Sequence, residues 1–366
     1  MFMCTPYFRR DCQRLPHTRN ITQIMMLLTE YLLYSLGMMA TSLTAASLLI
    51  YMKRPEMFVQ GYMKLAVLVS GMRIKKVNIG DMTIAYGERG EKNKGQSSIL
   101  LLHGFSADKF MWSPVVGKLP NDLHVIAMDL PGHGDSDVPP DNEDLSFYSQ
   151  IERIKQFVVA IGLDSDPIHI VGLSMGGALA GVFSAEYPHL VDRVTMMCPA
   201  MRTPIETDVA VKIREIVQSI LDTGKDDALH ACPLIPKTPD EMQLLLDFAQ
   251  FHKPMFMPKQ IIQGAVDMRR PYNKYYYRLF KALAMLENSQ LLEKISDTIT
   301  VPTHLVWGEE DQVIHVSGAE ILKGKLPNLQ QVDIIPRCGH AINLDRPGAK
   351  TKSLLEFRKK SITVQS

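Results

Sequence analysis

The chain has 366 residues, 46% of them hydrophobic, and nearly equal acids and bases give a formal net charge of +1. That length holds one large catalytic domain plus an inserted or appended piece, and the charge balance excludes a surface built for nucleic acid, which needs concentrated Lys and Arg. Five scattered cysteines (Cys4, Cys12, Cys198, Cys232, Cys338) without a CxxC pair read as reduced thiols in a cytosol-facing protein, not as a disulfide framework or zinc site.

Residues 1–30 read as an N-terminal tail. From Tyr31 to Met52 the chain runs without charge, closed by Glu30 on one side and Lys53-Arg54 on the other. About 20 apolar residues in a helix cross a bilayer core. Thr44-Ala45-Ala46 resembles a signal-peptidase site, but the preceding tail is long and the apolar run exceeds a signal core. A retained single-pass transmembrane anchor at 31–52 is therefore expected over a cleaved signal or a buried soluble helix. Arg9, Arg10, Arg14 and Arg19 precede the span and Lys53, Arg54 and Lys64 follow it, so charge alone does not orient it. A start at Met25 or Met26 would remove the four arginines and place the domain that follows in the cytosol. Asn20-Ile21-Thr22 is an isolated glycosylation sequon. The membrane-proximal segment 53–73 is apolar but broken by Lys64; it either lies on a membrane surface or packs on the core.

From Ile74 the pattern becomes strand-like. Ile74–Ile79 and Met82–Tyr86 flank a Gly80-Asp81 turn. Ile99–His103, His124–Asp129, Ile168–Gly172 and Val194–Cys198 are continuous apolar strands. Between the second and third of these lies a helix N-capped by Ser146, with Ile151, Ile154, Val158 and Ile161 at helical spacing. Such alternation predicts an α/β fold, a mostly parallel sheet with helices on both faces. Residues 74–200 form its first part. Residues 201–298 look helical, broken by Pro233, Pro236, Pro239, Pro254, Pro258 and Pro271, and read as a helical cap insertion. Strands return at Thr303–Trp307 and Val332–Ile335, and a helix over Arg346–Lys359 ends the second core part, 299–366.

The chemistry concentrates in Gly172-Leu173-Ser174-Met175-Gly176, a G-x-S-x-G sequence between a strand and a helix. A serine on such a tight turn is held in strained geometry with its hydroxyl exposed; the plainer reading is a Gly-rich helix start. Serine needs a base. His340, after the last strand, is expected to supply it. His133 and His103 read instead as braces for their loops. Asp311, at the end of the preceding strand, is the expected acid, with Glu309 and Glu310 as alternatives; the chain order Ser, Asp, His fits this fold. Backbone N–H groups of Met175 and Phe105 are the expected oxyanion donors. No Walker A, dinucleotide glycine pattern, HExxH or metal-spaced His/Cys cluster occurs, so neither cofactor nor metal is expected.

The segments LLHGFSADKFMW, MDLPGHGDSD, HIVGLSMGG, CPLIPKTPDEM, WGEEDQV and CGHAINLDRP resemble the membrane-anchored abhydrolase-domain monoacylglycerol lipases, from about residue 70 to 360. The resemblance implies the α/β-hydrolase fold with a cap and cofactor-free hydrolysis of monoacylglycerols and related lysolipids. It also implies a catalytic domain on the cytosolic side of an intracellular membrane, with nucleophile, acid and base on Ser174, Asp311 and His340. The loop PGHGDSD is closer to the general α/β-hydrolase form. Expected partners are a lipid ester and a membrane, without nucleic acid. The rival readings are a thioesterase or carbon–carbon bond hydrolase on the same fold, and a non-enzymatic membrane adaptor. Apolar residues of 201–298, among them Ile213, Ile216, Leu221, Leu244, Leu245, Phe248, Phe251, Met255, Phe256, Met257, Ile261 and Ile262, are expected to set the substrate class, most of them by packing the cap's own core.

Overall fold

The structure, a computed structural model, describes residues 17–93, 95–253 and 256–360. Cys4, Cys12, Arg9, Arg10, Arg14, Pro254 and Met255 lie outside the described residues, as do the side chains of Arg19 and Asn20. The chain divides into two units, one ending at Arg54 and one beginning at Pro55.

The first unit is a single helix, α1 (His17–Lys53). Its part from Gln23 to Lys53 is long and apolar enough to cross a membrane, and none of it is buried against protein. At about 1.5 Å per residue it exceeds the roughly 30 Å of a bilayer core. The hydroxyls of Thr29, Thr41 and Thr44 bond back to the carbonyls of Met25, Met38 and Ala40 at 2.8, 2.9 and 2.9 Å. These three threonine hydroxyls thus find their acceptors within the helix. The helix begins well before Tyr31, so residues 17–30 are helical. Charge marks where an apolar span stops, but a helix ends at a breaker, and none stands between Pro16 and Gly37.

The second unit opens with α2 (Pro55–Ser70). An eight-stranded sheet follows: β1 (Arg73–Asn78), β2 (Thr83–Arg89), β3 (Ile99–Leu102), β4 (Val125–Met128), β5 (Ile168–Leu173), β6 (Val191–Met197), β7 (Thr303–Gly308) and β8 (Leu329–Ile335). Their order is β1-β2-β4-β3-β5-β6-β7-β8. The β1–β2 and β2–β4 pairs are antiparallel; every later pair is parallel. Strands β3, β4, β5 and β7 are buried along their whole length, as continuous apolar runs between helical layers must be.

Helix α3 (Ser113–Val116) follows β3, α4 (Phe147–Ala160) follows β4, and α5 (Met175–Glu186) follows β5. Ser146 caps α4, its Oγ accepting from the Ser149 N–H at 3.3 Å. Between β6 and β7 come α6 (Asp208–Thr223), α7 (Pro239–Ala249), α8 (Lys259–Arg269), α9 (Asn273–Ala284), α10 (Leu286–Ser289) and α11 (Leu291–Ile295). The sequence places a helical insertion there, and helices α6–α10 fill it. Helix α11 returns to the sheet layer, where Leu292 lies against Gly181 of α5. Met242, Ile262 and Val266 form a small separate core between α7 and α8. Of the apolar residues expected to pack the insertion, Ile216 and Ile262 are buried, whereas Leu221, Leu244 and Phe256 face outward. Helices α12 (Gly318–Lys325), α13 (Ile342–Asp345) and α14 (Pro347–Lys359) complete the chain, with α14 packed on β8 and α3.

Candidate active site

Parallel strands deliver their following loops to one edge of the sheet, and the expected site residues lie on those loops. Ser174 stands between β5 and α5 with φ +57° and ψ −119°, in a left-handed region that costs a non-glycine residue free energy. The turn is held by the Ser174 N–H bonding Met197 O at 2.9 Å and by Ala200 N–H bonding Ser174 O at 2.9 Å. The flanking glycines are obligatory. A Cβ on Gly172 would stand 1.9 Å from Gly176 O, and one on Gly176 would stand 2.4 Å from Leu102 O. That crowding is the physical reason for G-x-S-x-G here.

His340 and Asp311 meet directly: His340 Nδ1 lies 2.7 Å from Asp311 Oδ2. Asp311 is buried, and its other oxygen accepts from the N–H groups of Val313 and Ile314, both at 2.8 Å. A carboxylate bonded at both oxygens cannot swing away from the imidazole. The alternatives Glu309 and Glu310 are exposed. Cys198 is buried just after β6, and its sulfur, a carboxylate oxygen of Asp311 and a ring nitrogen of His340 lie mutually within 4.8 Å. These three groups come from distant positions, so no sequence spacing could show them together. A metal held by all three would compete with the Asp311–His340 hydrogen bond for the same atoms.

The loop after β3 passes over the serine. A Cβ on Gly104 would lie 3.3 Å from Ser174 Cβ and 3.8 Å from its Oγ, which sets the loop carrying Phe105 beside Ser174. Met175, the other expected oxyanion donor, opens α5 and is buried. His103 and His133 brace this loop. His103 donates from Nδ1 to Gly104 O at 2.8 Å and accepts the Leu130 N–H at Nε2, 2.9 Å. His133 donates from Nδ1 to Pro131 O at 2.9 Å and accepts the Ser106 N–H at 3.2 Å. Burial lowers both, His103 to about 4 and His133 to about 3, so both rings are neutral at pH 7, as their acceptor roles require.

Several supporting residues have no signal of their own in the sequence. Ser106 has φ +53°, and its carbonyl accepts from Arg269 Nη2 at 2.9 Å, so both of its backbone groups are held by side chains. Phe105 packs on Tyr276 and Phe280 of α9, with ring centroids 5.7 and 6.3 Å apart. Tyr275 donates to Pro131 O at 2.8 Å, and its ring fills the space a Cβ on Gly132 would need. Behind the loop, the buried Lys109 ammonium bonds Asp129 and Asp135, each at 2.6 Å. Burial alone would lower Lys109, but the two carboxylates outweigh it and hold the ammonium charged. A surface cleft of about 530 Å³ lined by Glu143, His230, Lys274 and Arg278 includes none of these residues.

Residues 98–347 match the model of the alpha/beta hydrolase fold family. The chain is 38% identical over 287 residues to monoacylglycerol lipase ABHD6 of Homo sapiens, a match covering 78% of this chain and 82% of that one. It is 28% identical to Lipase 1 of Psychrobacter immobilis over 72% of this chain and 77% of the other. Among solved structures, a membrane phospholipase A described as a bacterial virulence factor superposes with a TM-score of 0.72 at 27% identity, covering 88% of this chain and 97% of that one.

Proposed function

The chain belongs to the α/β-hydrolase family, alongside the ABHD6 monoacylglycerol lipases, and from that membership we propose that it hydrolyses monoacylglycerols and related lysolipids at Ser174. The observation that carries the assignment of roles is the 2.7 Å contact between His340 Nδ1 and Asp311 Oδ2. With Nδ1–H donated to the carboxylate, the tautomer leaves Nε2 free as a base.

The proposed reaction has two halves. Ser174 Oγ attacks the ester carbonyl carbon while His340 Nε2 takes its proton. The carbonyl oxygen becomes an oxyanion, stabilised by the N–H groups of Phe105 and Met175. Collapse breaks the bond to the glycerol oxygen, which leaves with the proton from His340. Water, deprotonated by the same imidazole, then attacks the acyl carbon; collapse breaks its bond to Ser174 Oγ, which takes the proton back from His340, and fatty acid leaves. Asp311 stays ionised and stabilises the imidazolium formed in each half.

α1 is read as the single-pass anchor, with the second unit facing the cytosol from an intracellular membrane. The shared basic flanks of α1 support an anchored end on either side, so a protease-protection assay on sealed vesicles is the measurement that decides orientation. A fluorophosphonate probe tests the chemistry. It should label the folded chain at Ser174, and Ser174→Ala should lose both labelling and hydrolysis of monoacylglycerol. Full hydrolysis by Ser174→Ala would overturn the assignment. Hydrolysis of coenzyme A thioesters in preference to glycerol esters would overturn the substrate class alone.

A further inference from the structure

We propose that α2 is an interfacial helix whose outward face lies in the headgroup–acyl boundary of the bilayer, beside the oxyanion loop. This goes beyond anchoring by α1 and rests on the lipid reading of the site.

The face is built at helical spacing. Phe58, Tyr62, Leu65 and Val69 recur every three or four residues, and Val69 is 78% exposed. Leu68, 74% exposed, and Met57 widen the stripe. The opposite side is engaged: Val67 and Ser70 are buried, and the helix packs against α8, α3 and the turn Lys109–Trp112 that follows the oxyanion loop. Packing against α8 is tight, since a Cβ on Gly264 would meet Pro55 O at 2.7 Å. α2 therefore ties the helical insertion to the sheet domain while presenting apolar side chains away from both.

Water is a poor match for this face, because a stripe of large apolar groups left exposed marks a binding surface. A bilayer is the occupant that the chain itself delivers. Only Arg54 separates α2 from α1, and one residue spans less than about 4 Å. Wherever α1 inserts, the first turn of α2 is brought to the interface at its end. The charges fit as well. Lys64 is the one exposed charged side chain within the outward stripe, and a lysine there lies along the apolar surface with its ammonium among the phosphates. Lys53 and Arg54 add basic groups at the junction, suited to anionic headgroups. Phe256, 80% exposed in the connection leading into α8, offers a further apolar group on the insertion that α2 packs against.

The test uses the full chain in phosphatidylcholine–phosphatidylserine vesicles. Trp112 and Trp307 are fully buried, so an introduced tryptophan is the one that contacts lipid. In vesicles with acyl chains brominated near the headgroup, Leu68→Trp and Val69→Trp should lose about half of the added fluorescence, and Val159→Trp, exposed on α4, should lose little. Tyr62→Ser/Leu65→Ser/Val69→Ser should lower kcat/KM for monoacylglycerol in vesicles by about five-fold or more and leave a soluble short-chain ester unchanged. An unquenched Val69→Trp beside a quenched Leu43→Trp in α1 would overturn the proposal. So would dimers that the triple variant abolishes, since these would assign the face to a second copy. If the wild type cleaves soluble esters but not monoacylglycerol, the lipid reading fails, while the quenching result still decides whether α2 lies in the bilayer.

Discussion

Asp345 Oδ2 accepts the backbone N–H of Phe251 at 2.8 Å, and this contact fastens the chain leaving α7 to the loop that carries His340. The same oxygen accepts Gly339 N–H at 2.8 Å, and Oδ1 accepts His252 N–H at 2.9 Å. Ala341 N–H bonds Ala249 O at 2.7 Å, and a Cβ on Gly339 would lie 2.8 Å from that same carbonyl. The insertion thus rests on the loop that carries His340 through one carboxylate, one backbone hydrogen bond and one glycine. Asp345→Ala would leave three N–H groups without partners, and hydrogen bonds to a charged acceptor contribute about 1.5–3 kcal/mol each. The expected outcome is a loss of about 4 kcal/mol or more in a denaturant melt, with kcat/KM lowered on soluble and lipid esters alike. Asp345→Asn, which keeps one oxygen, should fall between the two.

Arg269 reaches from α8 to the loop after β3, the proposed oxyanion loop, where its Nη2 bonds Ser106 O. Ser106 is left-handed without being glycine, so it stays there only because its neighbours hold it. Arg269→Met keeps the bulk and removes the donor. It should lower kcat by about ten-fold, because an N–H misplaced by a fraction of an ångström loses part of the oxyanion stabilisation. KM for a short ester should hardly move. A variant with raised KM and unchanged kcat would show that Arg269 contacts substrate instead.

The sheet was legible because its strands are unbroken apolar runs: ILLL of β3 and VIAM of β4 each lie within a residue of where the sequence puts them. The triad candidates were legible for a related reason, since each follows a strand on the edge where parallel strands open. What the sequence hid was contact between distant positions. Asp345 sits in CGHAINLDRP and looks like one more surface acid; its three partners come from residues 251, 252 and 339. Arg269 looks like a helix-terminal cation until it meets Ser106. Segment 53–73 left two readings open, membrane or core, because periodicity shows that a helix has an apolar stripe but not how many stripes are covered. Here one side is buried and the other is not.

Two glycines beside Ser174 separate folding from catalysis. Gly176→Ala places a methyl 2.4 Å from Leu102 O and 2.5 Å from His103 O, both backbone atoms at the end of β3 that cannot retreat. It should destabilise by more than about 4 kcal/mol and give little soluble protein. Gly104→Ala places its methyl 3.3 Å from Ser174 Cβ, 3.5 Å from Leu173 O and 3.8 Å from Ser174 Oγ, with no contact under 3.0 Å. Its stability should stay within about 1 kcal/mol of the parent. Its methyl would lie 3.8 Å from Ser174 Oγ, the proposed attacking atom, so kcat/KM should fall by about 10- to 100-fold. Equal melting and equal activity in Gly104→Ala would mean that the loop moves aside in the working enzyme.

The buried histidines make stability depend on pH with a defined sign. In the unfolded chain His103 and His133 take up protons near their ordinary 6.5; in the folded chain burial holds them back to about 4 and about 3. Between those values the unfolded state binds more protons, so stability rises with pH there and falls as the pH drops from 6.5 toward 4. Above 6.5 neither group contributes a slope. Each contributes up to about 1.4 kcal/mol per pH unit within its window. Urea melts at pH 7.5, 6 and 5 should show the decline, and His133→Gln, which removes one titrating group, should make it shallower by about that amount. An unchanged slope would mean that the ring is already solvated or charged in the folded protein.

Asp311→Asn is the sharpest test of how His340 is held. Asp311 Oδ1 is fixed by two backbone N–H groups, so an asparagine will keep its oxygen on Val313 and Ile314 and turn its NH2 toward His340. An amide N–H facing Nδ1 demands the other tautomer, with Nδ1 as acceptor and the proton on Nε2. Nε2, the nitrogen proposed to take the proton of Ser174, would then be a donor and no longer a base. The geometry would survive while the proton sits on the wrong atom, and the imidazolium formed in each half-reaction would lose its counter-charge. Loss of that acid in another serine hydrolase lowers turnover by about four orders of magnitude, and a loss of that size is expected for kcat here, with melting near the parent value. Ser174→Ala and His340→Ala should fall at least as far, and Asp311→Asn combined with Ser174→Ala should be no worse than Ser174→Ala alone, because residues acting as one unit are not additive. Activity within ten-fold of the parent in Asp311→Asn would assign the acid to Glu309 or Glu310, and the corresponding glutamine variants would then carry the loss.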